Sequence, residues 1–323
     1  MKDARSIFRF LAEAEERGEA TALVTVTHVI GRSSRAPGTH MAVGETGAFR
    51  GSLSGGCVEA AVVGEAIRII GAGQAELLRF GEGSPFIDIR LPCGGGVDLL
   101  IVPRPAPAII RAAGERLEAR EPVTLAIGRD GALMLETGAP AASAWRGDVF
   151  LAAHRPDLRL FVLGHGAEVE TLARLARAYG ADVRLLTPDR TIADAMAEEG
   201  FAAHWLKTPG QTADLAPDRH SAVILLFHDH DWEAELLMQA VGQEAFYVGA
   251  MGSRATHAAR LDTLRARGVT EGMLRRIRGP IGLIPATRDP DTLALSVLSE
   301  VVALYDAGGT ASIDIALPAA RFA

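Results

Sequence analysis

The two cysteines of the chain each lie in a short loop that is rich in glycine. The first loop is Ser54-Gly55-Gly56-Cys57, between a predicted strand and a predicted helix, and the second is Pro92-Cys93-Gly94-Gly95-Gly96. Glycines let several backbone amides approach one anion, and a helix start adds a positive dipole end that favours the thiolate of a nearby cysteine. The functional hypothesis is an anion site beside a reactive sulfur, in which both cysteines would face one cavity. The alternative is a pair of tight turns that contain inert, buried cysteines.

Two other loops combine arginine with hydroxyl groups and glycine, a mixture that suits a phosphate. One is the loop of residues 31–38, which contains Arg35. The other is Gly252-Ser253-Arg254, where a predicted strand ends and a helix begins. A helix N-cap by Ser253, followed by a surface arginine, would explain the second loop without a ligand.

A third glycine motif, Gly164-His165-Gly166, directly follows a predicted strand. It is similar to the dinucleotide-binding fingerprint but has Val169 in place of the third glycine. The acidic residue expected about 20 residues later would fall at Thr187, with Asp189 two residues further on. The motif is therefore compatible with a Rossmann scaffold either with or without a nicotinamide cofactor.

The run His228-Asp229-His230-Asp231 follows the predicted strand of residues 221–227. Open α/β sheets bind ligands at the carboxyl ends of their strands, and imidazoles with carboxylates can hold a metal ion. Because side chains alternate along an extended segment, His228 and His230 would share one side. A helix N-cap by Asp231 is the alternative explanation for part of this cluster.

Hydrophobic periodicity and the glycine and proline positions predict the elements that must position these loops. In the first half we expect helices over 3–17 and 57–70, strands over 21–30, 39–43, 47–53, 75–80, 86–91 and 97–102, and then one helix and several short strands over 108–152. In the second half we expect strands over 158–163, 183–187, 221–227 and 245–248, alternating with one helix that ends at Tyr179 and others over 191–199 and 231–241.

The alternation of strand and helix in the second half predicts a parallel sheet with helices on both faces. We therefore expect an α/β protein with two domains. Residues 1–152 would form an α+β domain that carries the glycine-rich cysteine loops. Residues 153–323 would form a Rossmann-like, doubly wound parallel sheet, with the linker near residues 147–157.

Length and composition agree with a globular protein of about two domains, since the chain has 323 residues, 48% of them hydrophobic and 23% charged. Two cysteines exclude a disulfide framework. The net charge of −7 argues against non-specific nucleic-acid binding. No apolar run is long enough for a membrane span, and the charged first residues do not resemble a signal peptide, so we expect a cytoplasmic protein.

Taken together, these motifs resemble those of the XdhC/CoxI family, which are accessory proteins of molybdenum hydroxylases such as xanthine dehydrogenase. The resemblance covers nearly the whole chain, and its pieces are Arg35-x-Pro37-Gly38-x-x-Met41, Gly51-Ser52-Leu53-Ser54-Gly55-Gly56-Cys57-Val58-Glu59, Cys93-Gly94-Gly95, His228-Asp229-His230, Tyr247-Val248-Gly249-x-x-Gly252-Ser253-Arg254 and Pro280-Ile281-Gly282-Leu283. The chain departs from the family pattern at Gly164-His165-Gly166-Ala167, where Gly-Ala-Gly-His is common, and at Thr187-Pro188-Asp189-Arg190, where the family has Asp-Pro-Arg.

The resemblance implies a cofactor chaperone rather than a turnover enzyme. Such a protein binds the molybdenum cofactor, a molybdopterin, supports its sulfuration and inserts it into a hydroxylase of the xanthine dehydrogenase type. The implied partners are that hydroxylase and a cysteine desulfurase, and we expect a homodimer.

By this resemblance Cys57 and Cys93 would contact molybdenum or its sulfur. The phosphate, the oxo groups and the pterin would meet the remaining site residues, which are Ser54, Gly55, Gly56, Gly94, Gly95, Arg35, Gly164, Gly166, Ser253 and Arg254. Two other hypotheses remain at this point. One is an NAD(P)-dependent oxidoreductase that uses the Rossmann half, and the other is a metal hydrolase centred on His228 and His230.

Overall fold

The computed structural model describes residues 4–31, 35–53, 58–84, 95–136, 142–210, 214–228, 231–287 and 289–308. The chain forms two compact units, Met1–Pro156 and Asp157–Ala323. The strand that we expect over 86–91 lies outside the described residues.

The first unit contains helices packed on antiparallel sheets. Its elements are α1 (Ala4–Glu16), β1 (Thr21–Ile30), β2 (His40–Gly44), β3 (Phe49–Arg50), α2 (Glu59–Ala72), β4 (Glu76–Gly81), β5 (Gly96–Pro103), α3 (Pro107–Glu118), β6 (Val123–Gly128), β7 (Leu133–Glu136), β8 (Ala144–Arg146) and β9 (Val149–His154). Five strands form one sheet in the order β3-β2-β1-β5-β4, and four form another in the order β7-β6-β9-β8. This arrangement confirms the expected α+β architecture.

Helix α1 illustrates how the local sequence determines these elements. Its apolar residues recur at helical spacing, so Ile7, Phe8 and Leu11 lie on one face and are buried in a core shared with α3 and both sheets. Gly18 adopts a φ of 74°, which ends the helical path, as the sequence predicts.

Strand β3 is shorter than the strand that we expect over 47–53. It ends at Arg50, because Gly51 adopts a φ of 98° and takes the chain out of the extended conformation. A methyl carbon placed on Gly51 would lie only 2.8 Å from the His40 carbonyl oxygen. Glycine is therefore required where the chain passes closely over the start of β2.

The second unit is a doubly wound parallel sheet. Its elements are β10 (Arg159–Gly164), α4 (Ala167–Tyr179), β11 (Asp182–Thr187), α5 (Arg190–Glu198), β12 (Ala202–Trp205), β13 (Ser221–Leu226), α6 (Glu233–Val241), β14 (Tyr247–Ala250), α7 (Arg254–Ala266), α8 (Glu271–Leu274), β15 (Ile277–Arg278) and α9 (Pro290–Asp306). All six strands run parallel in the order β12-β11-β10-β13-β14-β15.

Both faces of this sheet are buried, which confirms the Rossmann-like prediction. Alternate residues of β10 belong to different cores: Leu160 and Val162 face α4 and α9, whereas Phe161 and Leu163 face the side of α6 and α7. Four elements that the sequence analysis does not predict complete the unit, namely β12, α8, β15 and α9. The proposed N-cap by Asp231 is wrong, because α6 begins at Glu233 and its N-cap is Trp232, without a side-chain cap.

Candidate functional site

The described residues that flank the two cysteine loops lie at the same end of the five-stranded sheet. Strand pairing places Ile30 opposite Gly96 and Gly96 opposite Gly81, so β1 ends where β4 ends and β5 begins. Antiparallel pairing of β3 with β2 directs Gly51 and the following residues toward this end as well. The cysteine loops and the Arg35 loop are therefore joined to one edge, which we name the cysteine-loop edge.

Two contacts join these segments directly. The Arg35 guanidinium donates from Nε to the Ser52 carbonyl oxygen at 3.0 Å, which connects the basic loop to the stem of the first cysteine loop. A methyl carbon placed on Gly31 would lie 3.5 Å from the Gly95 Cα. The start of the Arg35 loop is therefore close to the end of the second cysteine loop. Gly95 is buried, and its carbonyl oxygen accepts a hydrogen bond from the Glu82 amide at 3.0 Å.

Glu59 stabilises both stems of the first cysteine loop. One carboxylate oxygen accepts from the Ser52 hydroxyl at 2.8 Å and from the Leu53 amide at 3.1 Å, and the other accepts from the Val58 amide at 3.3 Å. Glu59 is buried, and it is the first residue of α2, where a negative charge also suits the helix dipole. In the sequence Glu59 is only the last residue of a motif, and no local pattern predicts its role.

A buried histidine pair lies behind this edge. His40 Nδ1 is 2.9 Å from the Thr25 hydroxyl, and His40 Nε2 is 3.0 Å from His154 Nε2. Burial lowers the pKa of His40 to about 3 and lowers the pKa of His154 well below its usual value. Both rings are therefore neutral at physiological pH, and together they connect β2 with β9.

Several predicted site residues lie outside the described residues. They are Ser54, Gly55, Gly56, Cys57, Cys93, Gly94 and His230. Their roles remain predictions.

The glycines that follow β10 are required by their surroundings. A methyl carbon on Gly164 would lie 2.4 Å from the Leu226 carbonyl oxygen, so only glycine lets β10 and β13 end this close together. Gly166 has a φ of 91° and is the N-cap of α4. A methyl carbon on Gly166 would lie 2.9 Å from a Glu168 carboxylate oxygen. The space above Gly166, where a dinucleotide fingerprint receives its diphosphate, therefore faces a carboxylate.

His228 lies at the same edge of the sheet. Its Nε2 is 3.5 Å from Glu168 Oε1, and its ring centroid is 5.9 Å from that of His165. No group of three histidine, cysteine or acidic side chains suited to a metal ion occurs among the described residues, where His228 is present and His230 is not. The dinucleotide fingerprint predicts an acidic residue only near position 187, so it gives no signal for Glu168.

Thr187 and Asp189 are both engaged in local structure. Thr187 is buried, and its hydroxyl accepts a hydrogen bond from the Asp189 amide at 3.1 Å. The Asp189 carboxylate is the N-cap of α5 and accepts from the amides of Thr191 and Ile192. Neither side chain occupies the role of the ribose-binding acid of a dinucleotide fold.

Ser253 and Arg254 occupy the start of α7, as predicted. The Ser253 hydroxyl accepts from the Thr256 amide at 3.1 Å, and Arg254 is exposed. A buried ion pair stabilises this loop. Arg260 donates to both carboxylate oxygens of Glu233, at 3.1 and 2.9 Å, and also to the Met251 carbonyl oxygen in the loop at 2.6 Å. No local sequence pattern predicts this pair, because its two members are 27 residues apart.

Helix α9 holds the Pro280-Ile281-Gly282-Leu283 motif. The Glu300 carboxylate accepts from the Gly282 amide at 2.5 Å and from the Tyr247 hydroxyl at 3.1 Å. Burial and the neighbouring carboxylate raise the pKa of Tyr247 well above its usual value, so its hydroxyl remains a donor. Helix α9 thus links two family motifs that are distant in the sequence.

Comparison with known families assigns both halves of the chain. The model of the XdhC Rossmann domain matches residues 160–301, and the model of the XdhC and CoxI family matches residues 14–81. The chain is also 37% identical over 302 residues to the molybdenum cofactor insertion chaperone PaoD of Escherichia coli K12, which covers 94% of this chain and 89% of PaoD. The chain belongs to the XdhC and CoxI family. The predicted resemblance is confirmed.

Two further proteins are similar to the chain at lower sequence identity. YqeB of Escherichia coli K12, an uncharacterized protein, is 27% identical over 184 residues, which are 52% of this chain and 32% of YqeB. A Bacillus halodurans structure described as a xanthine dehydrogenase matches with a TM-score of 0.75 at 19% identity, covering 96% of this chain and 97% of that one. This structural match supports the fold alone. None of the helices in the described residues is long and apolar enough to cross a membrane.

Proposed function

We propose that this protein binds the molybdenum cofactor and delivers it to a molybdoenzyme. The observation that carries the proposal is the convergence of three glycine-containing segments on the cysteine-loop edge, in a chain 37% identical to a molybdenum cofactor insertion chaperone. A carrier needs a site that holds its cargo without consuming it. A loop edge with two thiols and an arginine has the chemistry for that task.

The proposed cargo has groups that match the residues of this edge. Molybdenum and its sulfur ligands are soft, so thiolates of Cys57 and Cys93 are suitable contacts. The phosphate and the oxo groups are anions, which backbone amides of Ser54, Gly55, Gly56, Gly94 and Gly95 would bind together with the Arg35 guanidinium. The buried Glu59 supports this assignment, because it holds the stems of the first loop at defined positions.

The Rossmann unit by itself also has polar groups that suit a pterin, and we propose them as contacts for one. Its loops after β10 and β14 offer the amides near Gly164 and Gly166, the Ser253 hydroxyl and the exposed Arg254 guanidinium. These groups lie at the carboxyl ends of parallel strands, where such sheets bind their ligands.

The proposal also includes two protein partners. A cysteine desulfurase would supply the sulfur while the cofactor is held, and a molybdenum hydroxylase of the xanthine dehydrogenase type would receive the finished cofactor. Thiols beside the cargo suit both steps, because they tolerate and protect a sulfido ligand.

Three contacts argue against the alternative hypothesis of an NAD(P)-dependent oxidoreductase. Glu168 places a carboxylate near the expected diphosphate position, Thr187 is buried, and Asp189 is used as a helix N-cap. A diphosphate would meet like charge there instead of a cradle of donors. We therefore do not propose nicotinamide chemistry for this chain.

The direct test is retention of molybdenum. The full-length protein is mixed with cofactor released from a molybdoenzyme and desalted, and the bound molybdenum is then measured by mass spectrometry. We expect the wild type to retain molybdenum and the Cys57→Ala, Cys93→Ala double variant to lose most of it. A wild type that retains none would refute the proposed function, whereas equal retention by the double variant would refute only the cysteine assignment.

A matched pair of arginine variants tests the anion contact. Arg35→Met should reduce retention, because it removes the guanidinium that contacts the cysteine-loop stem. Arg50→Met is the control, since Arg50 is an exposed arginine of β3 in the same unit. Equal retention by the two variants would contradict a specific role for Arg35.

A further inference from the structure

The Rossmann unit has a topological switch point between β10 and β13. From β10 the chain adds β11 and β12 on one side of the sheet, and it then adds β13, β14 and β15 on the other side. The loops after β10 and β13 consequently diverge, and ligands of open α/β sheets bind in the crevice that this divergence creates. His165 and His228 lie on these two loops, so they flank the crevice.

The Glu168 carboxylate lies at this switch point. It belongs to the first turn of α4, and it faces both Gly166 and His228. Its side chain is only 17% exposed. A carboxylate that is largely shielded from water needs hydrogen-bond donors to replace that water.

The described residues do not supply those donors. Among the described residues, the one charged side chain within 4 Å of the carboxylate is His228, whose Nε2 lies 3.5 Å away, a distance longer than a normal hydrogen bond. A carboxylate has about four acceptor positions, so most of this capacity remains available to a ligand among the described contacts. The histidine rings beside it, with centroids 5.9 Å apart, present flat surfaces of the kind that an aromatic ligand can pack against.

We propose that the switch point recognises a 2-amino-4-oxopyrimidine edge, with Glu168 accepting from the ring N–H and the 2-amino group. This edge offers two adjacent donors, which match the two oxygens of one carboxylate in a bidentate pair. Pterins and guanine both carry it. The inference rests on the proposed function, because the pterin of the molybdenum cofactor is the source that this function supplies.

The same geometry disfavours a phosphate at this position. A helix N-terminus normally attracts anions, but here the Glu168 carboxylate faces the amide end of α4 and would repel a second negative group. The switch point therefore selects a neutral ligand with donors over an anionic one.

The test measures binding of free pterin to the full chain by quenching of pterin fluorescence. Lumazine is the matched ligand control, since an oxo group replaces its 2-amino donor. We expect lumazine to bind at least about tenfold more weakly than pterin, because a hydrogen bond to a charged group is lost. Guanosine is the third ligand: tighter binding of pterin identifies the cofactor as the source of the edge, and tighter binding of guanosine would overturn that assignment.

Two variants test the residue. Glu168→Gln should weaken pterin binding by at least about tenfold, because one acceptor oxygen becomes a donor. Glu170→Gln is the control, as Glu170 lies in the same first turn and pairs on the surface with Arg174, and we expect a change within about twofold. Thermal unfolding of both variants distinguishes a loss of helix stability from a loss of ligand recognition. A purely structural role of Glu168 would lower the melting temperature but leave the preference for pterin over lumazine unchanged.

Several results would overturn this inference. Equal affinity for pterin and lumazine, unchanged binding by Glu168→Gln, or no saturable binding of pterin up to about 1 mM each would do so. The proposed function fails separately, since it is judged by molybdenum retention. A wild type that retains molybdenum without discriminating pterin from lumazine would keep the proposed function and reject the Glu168 site.

Discussion

Removing one member of the buried Glu233–Arg260 pair should strongly destabilise the Rossmann unit. The Glu233 and Arg260 side chains are only 2% and 3% exposed. The guanidinium makes two bonds to the carboxylate and one to the Met251 carbonyl oxygen. Arg260→Met would leave the Glu233 charge in this interior without its guanidinium, while keeping most of the side-chain volume.

The expected loss is about 3–5 kcal/mol, the usual cost of breaking a buried ion pair by removing one partner. With a urea dependence of about 2 kcal/mol per molar, this corresponds to a midpoint lower by roughly 2 M. The Glu233→Leu, Arg260→Met double variant should recover most of the loss, because replacing both charges with apolar groups leaves no buried charge uncompensated.

Tryptophan fluorescence can report on this unit alone. The chain has three tryptophans, of which Trp145 is in the first unit and Trp205 and Trp232 are in the second. In a Trp145→Phe background the urea transition therefore follows the Rossmann unit. A loss below about 1 kcal/mol for Arg260→Met would refute the buried-charge argument, and so would a double variant as unstable as the single one.

Three further predictions follow from other contacts. Glu59→Gln should lower the free energy of unfolding by about 1–3 kcal/mol and reduce molybdenum retention, because the wild-type carboxylate accepts hydrogen bonds from three donors. Unchanged retention would contradict the positioning role. Burial lowers the pKa of His154 well below 6.5 and that of His40 from 6.5 to about 3, so below about pH 6.5 the unfolded chain binds more protons than the folded one. The free energy of unfolding should therefore fall as the pH drops below about 6.5, by up to ~1.4 kcal/mol per pH unit for each ring. A His40→Gln, His154→Leu variant should show a flatter urea-midpoint profile between about pH 6.5 and 5, and an unchanged slope would contradict this. Gly164→Ala should unfold more readily than Gly180→Ala, since its methyl would lie 2.4 Å from a backbone oxygen whereas nothing lies within 4 Å at Gly180; equal melting temperatures would contradict it.

Local sequence patterns were sufficient to predict most elements. The apolar spacing of α1, the apolar run of β10 and the glycine after α4 each act within one element, so they can be recognised without knowing the fold. The same holds for the N-cap at Ser253, which depends on residues three positions apart. The boundaries that differ, such as the end of β3 at Arg50, depend on close contacts with a neighbouring strand.

The sequence by itself thus determined the α/β class, with an α+β first half and a Rossmann-like second half, and the family. Only the tertiary structure decided which side chains meet: Glu59 with the stems of the cysteine loop, Glu168 with His228, and Glu233 with Arg260. The physical reason is that periodicity reflects burial along one element, whereas these contacts depend on strand register and on the order of strands in a sheet. The local sequence around a helical carboxylate does not indicate whether the side chain faces water, a buried arginine or a ligand site.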